Sequence, residues 1–393
     1  MPSPSLSVVV PVYNTERYLK ECLDSLSSQT FGDFECVMVD DGSTDASPDI
    51  AGAHASRDRR FRLVRQDNRG LGAARNTGLQ HLDPSGRYLA FVDSDDVVPP
   101  NAYQHMITTL EATGSQLATA RCVRLAAGRF CPVQGDWKAG VGRRLRTDVT
   151  ETPQLAGDCA VWNKMFRRAF FDSTGLAFPE GVHHEDLAVW PRVPFLATSI
   201  DVLPDVVYYW RVRDRGELSI TQQSMLPRAL VDHVAAMESA RNWLRDRPEP
   251  RARVCLDALD QYLLTDRIPF LFPWVYLGSS AYRAVYRQHV PRLLAAIGPE
   301  KLARQRAVSR LGYRLAHLVS GLSTHRPDAH PGPGSSTACS GLREQVATPA
   351  RRLVPAIVAV RGWLRSTRLK EDLQGAQARQ HHERHAVGEP DDA

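Results

Sequence analysis

The chain has 393 residues, 43% of them hydrophobic and 24% charged, with a formal net charge of +5. That balance indicates a globular protein long enough for one large domain plus a second region, and so mild a basic excess does not by itself point to nucleic acid. Seven cysteines are scattered from Cys22 to Cys339 without a Cys-x-x-Cys pair, which argues against both a disulfide framework and a zinc site.

No basic and apolar leader pattern precedes Leu6, and the most apolar later window, 268–277, is too short and proline-interrupted to cross a bilayer. The expected location is the cytoplasm. From Leu6 onward the pattern alternates: residues 6–12, 34–39, 61–64, 88–92 and 117–123 read as strands, separated by helical stretches, which predicts parallel βαβ units. Between the first two strands, Tyr18, Leu19, Cys22, Leu23 and Leu26 recur at helical spacing, with Asn14 or Thr15 as the expected cap. The pattern loosens over 124–155, read as a variable connection, and resumes in the aromatic, charged block 161–171.

Beyond residue 222 the periodicity is helical, as in Leu230, Val234, Met237 and Ala240. The expected organisation is an α/β domain over 1–222, a helical region over 223–323, a Pro/Gly/Ser-rich linker over 324–340, a basic amphipathic segment over 341–372 and a disordered tail over 373–393. The basic segment sets Leu353, Ile357, Val360 and Trp363 among Arg351, Arg352, Arg361 and Arg365. Such a pattern suits peripheral contact with an anionic membrane, and equally a solvated helix packed on the helical region.

The most informative run is 88–96, where an apolar strand enters the carboxylate cluster Asp93-Ser94-Asp95-Asp96. Ligands of open α/β sheets bind beyond the carboxyl ends of the strands, and Asp93 and Asp95 offer the hard oxygens that Mg²⁺ and Mn²⁺ prefer. Taken alone, the triplet equally fits a strand stop and helix cap. Three other junctions converge on the same edge. Pro11 fixes the backbone after the first strand and Tyr13 offers a flat ring to a base. Asp40 and Asp41 end the second strand before a glycine turn, where one carboxylate could accept the imide N–H of a base such as uracil. The third junction, from Asn68 through Gly72-Ala73-Ala74-Arg75, permits close backbone approach and brings a permanent cation.

Together, Val9-Val10-Pro11-Val12-Tyr13-Asn14, Val39-Asp40-Asp41-Gly42-Ser43, Gly72-Ala73-Ala74-Arg75-Asn76 and Phe91-Val92-Asp93-Ser94-Asp95-Asp96 resemble family 2 glycosyltransferases. The resemblance implies the GT-A fold, with a nucleotide-sugar half over 1–125 and an acceptor half over 126–222, a UDP-sugar donor and inversion at the anomeric carbon. It implies that Pro11, Tyr13, Asp40 or Asp41, Asn68, Arg75, Asp93 and Ser94 hold the nucleotide sugar, and that Asp93 and Asp95 frame Mn²⁺ or Mg²⁺. Glu185-Asp186, before an apolar helix, matches the Glu-Asp pair of similar transferases. By resemblance Asp186 is the general base and Glu185 its structural neighbour, while His183 and His184 are read as spectators. The segments at 161–168 and 208–221 look like the acceptor side of transferases that build surface polymers, teichoic acid included. Lys164, Arg167, Arg211 and Arg213 are candidates there to meet phosphate on the donor or on a glycan or polyol-phosphate acceptor.

Three rivals are weaker. A sugar-nucleotide pyrophosphorylase needs an N-terminal glycine-rich basic loop that 6–14 lacks, and a dehydrogenase needs a Gly-x-Gly-x-x-Gly that does not follow the first strand. A catalytically idle polymer-binding or scaffolding module has no chemical need to keep Asp93, Asp95, Glu185 and Asp186, four carboxylates that repel one another. The sequence leaves the sugar, the acceptor and the oligomeric state open.

Overall fold

The computed structural model describes residues 4–133, 136–214, 218–305, 312–314 and 316; all belong to one compact unit, residues 1–323. The linker, basic amphipathic segment and tail expected over 324–393 lie outside the described residues. Nine strands are present among those described: β1 (Leu6–Val12), β2 (Phe34–Asp41), β3 (Phe61–Gln66), β4 (Tyr88–Phe91), β5 (Leu117–Ala126), β6 (Arg129–Pro132), β7 (Arg144–Thr147), β8 (Lys164–Arg167) and β9 (Ile200–Val212). Between and after them come helices α1 (Leu19–Ser27), α2 (Ser47–Arg57), α3 (Leu71–Gln80), α4 (Ala102–Thr113), α5 (Lys138–Val141), α6 (Arg168–Ser173), α7 (Glu185–Val189), α8 (Val193–Leu196), α9 (Pro227–Arg245), α10 (Pro250–Tyr262), α11 (Ile268–Leu277), α12 (Ser280–Ile297) and α13 (Pro299–Ala303).

The strands form one mixed sheet in the order β3-β2-β1-β4-β8-β5-β9-β7, with β6 paired to β5. Its first four strands are parallel, with β1 central between β2 and β4. Every residue of β1 is buried, as expected for a strand covered by helices on both faces. The fifth strand does not extend this parallel array. β8 is inserted between β4 and β5 and runs antiparallel to both, so the block at 161–171 contributes to the middle of the sheet. The stretch 124–155, read as a loose connection, holds β6, α5 and β7; this antiparallel excursion returns the chain to the sheet's interior.

The β1–α1 turn also differs from expectation. Asn14 adopts a left-handed conformation with φ 47°, and α1 starts only after Tyr18, without a side-chain cap. The Asn14 side chain instead accepts the Thr44 N–H at 2.9 Å, tying the first junction to the second. The α9 stripe of Leu230, Val234, Met237 and Ala240 is buried as its spacing predicts.

Helix α3 lies against the sheet at the distance of a glycine. A β-carbon on Gly78 would sit 2.4 Å from Cγ1 of Val9, in the fully buried central strand. Overpacking of this kind costs about 1–3 kcal/mol. Gly78→Ala is therefore expected to lower the unfolding free energy by that amount, read as a lower denaturant midpoint with the m-value unchanged; an unchanged midpoint would show that the helix moves off the sheet at no cost.

Candidate active site

The carboxyl ends of β1, β2 and β4 and the start of α3 open into a cavity of about 1140 Å³. Pro11, Tyr13, Asp41, Asn68, Arg75, Asp93, Ser94, Asp95, Glu185 and Asp186 all line it. Asp40 does not: it is buried and accepts the Ser43 N–H at 3.1 Å, closing the turn that follows β2. Asp41 organises the third junction. Its Oδ1 accepts from Gln66 Nε2 at 2.7 Å and the Arg69 N–H at 2.9 Å, and its Oδ2 accepts from the Gly70 N–H at 2.8 Å. Gly42, at φ 72°, lets this loop close, since a β-carbon there would be 2.9 Å from the Asn68 nitrogen. Thr15 donates to Ser94 across 3.1 Å, fastening the first junction to the fourth.

Arg75 binds the two ends of the site together. It is 1% exposed, it donates to Asp93 Oδ1 at 2.6 Å, and its other terminal nitrogen pairs with Glu185, 110 residues further along the chain. β9 completes the acidic turn from the far side. Asp95 Oδ2 accepts from Arg213 Nε at 2.6 Å, Asp96 Oδ1 from the Arg211 N–H at 2.6 Å, and Tyr208 Oη from the Asp93 N–H at 3.0 Å. Burial pushes Asp93 above the usual carboxylate range, against the pull of Arg75 and with help from neighbouring Asp95. Asp96 is pushed further by burial together with Asp95 and Asp93. Glu185 is pushed up to about 7, chiefly by burial and then by Asp186.

Asp186 differs from its neighbour. It is part-exposed, lines the cavity, and its only hydrogen bond among the described residues is from the Leu187 N–H at 2.8 Å. It sits in the first turn of α7.

A family model for glycosyl transferase family 2 matches residues 7–175. Glycosyltransferase GlyG of Streptococcus pneumoniae is 44% identical over 234 residues, 54% of this chain and 72% of that protein. The chain belongs to glycosyl transferase family 2. Putative glycosyltransferase EpsH of Bacillus subtilis is 34% identical over 228 residues, 54% of this chain and 62% of that protein. A poly(ribitol-phosphate) beta-glucosyltransferase of Bacillus spizizenii is 28% identical over 221 residues, 54% of this chain and 33% of that protein. The chain thus spans less than two thirds of either of these last two. The crystal structure of S. aureus TarS 1–349 in complex with UDP-GlcNAc superposes with a TM-score of 0.62 at 21% identity, covering 80% of this chain and 89% of that one. The likeness shows that the fold is GT-A.

In this family 2 enzyme three of the four basic residues expected to meet phosphate are engaged elsewhere. Lys164 is fully buried, 3.1 Å from Asp158, bonded to Asn163 and the Ala160 carbonyl, and 3.9 Å from the Trp190 ring centroid. Burial lowers its pKa to about 8. Arg211 reaches the Asp95 carbonyl at 2.6 Å and Glu21 at 2.7 Å, and does not line the cavity. The ion partner of Lys164 lies six residues before it, and that of Arg211 lies on α1. Arg167 is likewise tied to the carbonyls of Ser115 and Leu110. Arg213 alone of the four reaches the cavity. Sequence reasoning missed Tyr262, Arg267 and Phe270, which line it from the helical region, and no motif marks them.

The two histidines before Glu185 have different surroundings, and His183 pairs with Asp232 at 2.8 Å. His184 and His233 pack edge to face, their ring centroids 4.5 Å apart, and His184 Nε2 and both His233 nitrogens are buried without a hydrogen-bond partner. Burial lowers His184 to about 4 and takes His233 well below its ordinary value. A depressed histidine contributes stability that is fully present above the unfolded pKa of about 6.5 and is lost as pH falls toward the folded value, at about 1.4 kcal/mol per pH unit for each extra proton the unfolded state binds. Between pH 6.5 and 5 the wild type is therefore expected to lose stability faster than His233→Phe, by up to that slope in paired denaturant titrations. Parallel profiles would mean that His233 does not stay neutral when folded.

Proposed function

We propose that the chain moves a sugar from a UDP-sugar to a hydroxyl of a cell-surface glycan or polyol-phosphate polymer, with inversion at the anomeric carbon. The observation that carries this reading is the Arg75 bridge, which sets the acidic turn after β4 and the Glu185-Asp186 pair at one cavity. In the reading, Tyr13 stacks on the base, and Asp41, which keeps a lone pair on Oδ2 and lines the cavity where Asp40 does not, accepts the uracil N–H. Pro11, Asn68 and Ser94 shape the wall of the nucleotide. Arg75 acts by holding Asp93 and Glu185, since its guanidinium is enclosed between them.

The residues at the acidic turn fit a divalent cation. Asp93, Asp95, Asp96, Glu185 and Asp186 face the directly paired Arg75 and Arg213, so carboxylates outnumber guanidiniums, and Asp93 is already destabilised as an anion. Asp93 and Asp95 each give one oxygen to an arginine, and the other carries no hydrogen bond among the described residues. Those residues contain no group of three or more His, Cys, Asp or Glu suited to enclose a metal. Two carboxylates plus diphosphate oxygens and water match the way Mg²⁺ is usually held. Such a cation neutralises charge on a departing diphosphate.

Asp186 takes the proton of the acceptor hydroxyl as that oxygen bonds to the anomeric carbon on the face opposite UDP; the bond to the diphosphate oxygen breaks, and the electron pair leaves with UDP. Asp186→Asn is expected to retain UDP binding while transfer falls by roughly 10²- to 10⁴-fold. A variant with most of its turnover would remove Asp186 as the base. Asp95→Ala is expected to weaken UDP binding in Mn²⁺ and to leave it nearly unchanged in chelator, read by calorimetric titration; wild-type affinity for UDP that is equal with and without metal would rule out the cation site.

A further inference from the structure

The cavity, at about 1140 Å³, exceeds the ~300–1,000 Å³ of pockets that hold one small ligand. Its wall opposite the nucleotide junctions comes from the end of α10 and the π-helical turn Leu263–Arg267 that leads into α11. That turn fixes one side chain. Residues five apart stack in π geometry, and Arg267 accordingly lies over Tyr262, its Nε donating to the Tyr262 hydroxyl and its guanidinium carbon 5.5 Å from the ring centroid. Tyr262 is itself pinned, because the position of a β-carbon on Gly157 would be 2.6 Å from the Tyr262 ring.

The terminal nitrogens of Arg267 carry no hydrogen bond among the described residues. Asp266 is 3.7 Å from Nε and half exposed, so it offsets the charge only in part. The Arg267 side chain is 29% exposed and lines the cavity near enough to Asp186 for their charges to interact. A part-buried planar fork is the donor that suits a phosphate. An anionic acceptor approaching the carboxylates at Asp186 and Glu185 also needs a cation beside it.

We propose that Arg267 binds a phosphate of the acceptor, so that the helical region selects a polyol-phosphate chain over a neutral glycan. This rests on the transferase reading above. The test compares kcat/KM for a polyol-phosphate oligomer with that for the same polyol without phosphate, using the full chain with UDP-sugar and Mn²⁺. In Arg267→Gln the phosphorylated-to-neutral ratio is expected to fall roughly 10- to 100-fold, the range for losing a hydrogen bond to a charged group, and Arg267→Lys to recover part of it. The wild-type KM for the phosphorylated acceptor alone should also rise with salt. If Arg267→Gln does not fold, Arg267→Lys carries the test, with the ratio lowered several-fold. An unchanged ratio in the folded variant, or a wild type that prefers the neutral acceptor, overturns the assignment and leaves the transferase reading standing. A wild type that binds UDP-sugars yet releases UDP with neither acceptor overturns both.

Discussion

A single buried guanidinium holds this molecule's two halves in register. Arg75 sits with its charge out of water and stays there because Asp93 and Glu185 close on it from opposite sides. Removing one partner from such a buried arrangement costs about 3–5 kcal/mol, since the remaining charge loses its compensation. The interaction thus does more than order a side chain. It forces the loop before α7, whose own secondary structure is only five residues long, to return to the sheet edge formed by the first hundred residues.

The composition of α3 follows from that demand. To bring Arg75 to the sheet edge the helix must pass close to both β1 and the returning loop, and it does so on Gly72, Ala73, Ala74 and Gly78. A β-carbon on Gly72 would lie 2.0 Å from the Pro179 carbonyl oxygen, so the loop at 178–181 rests directly on the helix backbone. Asn76 then bonds this loop at both ends of one peptide stretch, donating to the Phe178 carbonyl at 2.8 Å and accepting the Phe178 N–H at 2.9 Å. Small residues, a buried arginine and a bonded asparagine are parts of one device, which explains why they occur in one short run.

Much of this was legible in the sequence where the cause is local. The four parallel strands show as apolar runs, and the carboxylates stand at their ends because strand and turn chemistry are written in adjacent residues. What depends on partners far along the chain was not legible. The insertion of β8 between β4 and β5 is decided by pairing across more than forty residues. Arg211 looks like a surface cation because nothing near it in sequence announces Glu21 or the Asp95 carbonyl as partners, and Lys164 does so because its burial against Trp190 is decided by packing, although its partner Asp158 is only six residues away. The helical wall at Tyr262 and Arg267 carries no pattern beyond helix periodicity, since its meaning comes from what it faces.

The Glu185-Asp186 dipeptide shows how one short helix serves two masters. Successive side chains on a helix point about 100° apart, so two adjacent carboxylates cannot both enter the same ion pair. Glu185 turns inward, where burial raises its pKa to about 7 even against the pull of Arg75, with which it pairs. Asp186 is thereby left in the cavity, outside any ion pair yet within electrostatic reach of both Arg75 and Arg267. His184, at φ 59° immediately before the helix, lines the cavity and packs edge to face against the buried His233 behind it. The division of labour follows from one turn of helix: Glu185 spends its charge on Arg75, and Asp186 keeps its oxygens toward the cavity, with one hydrogen bond among the described residues, from the Leu187 N–H.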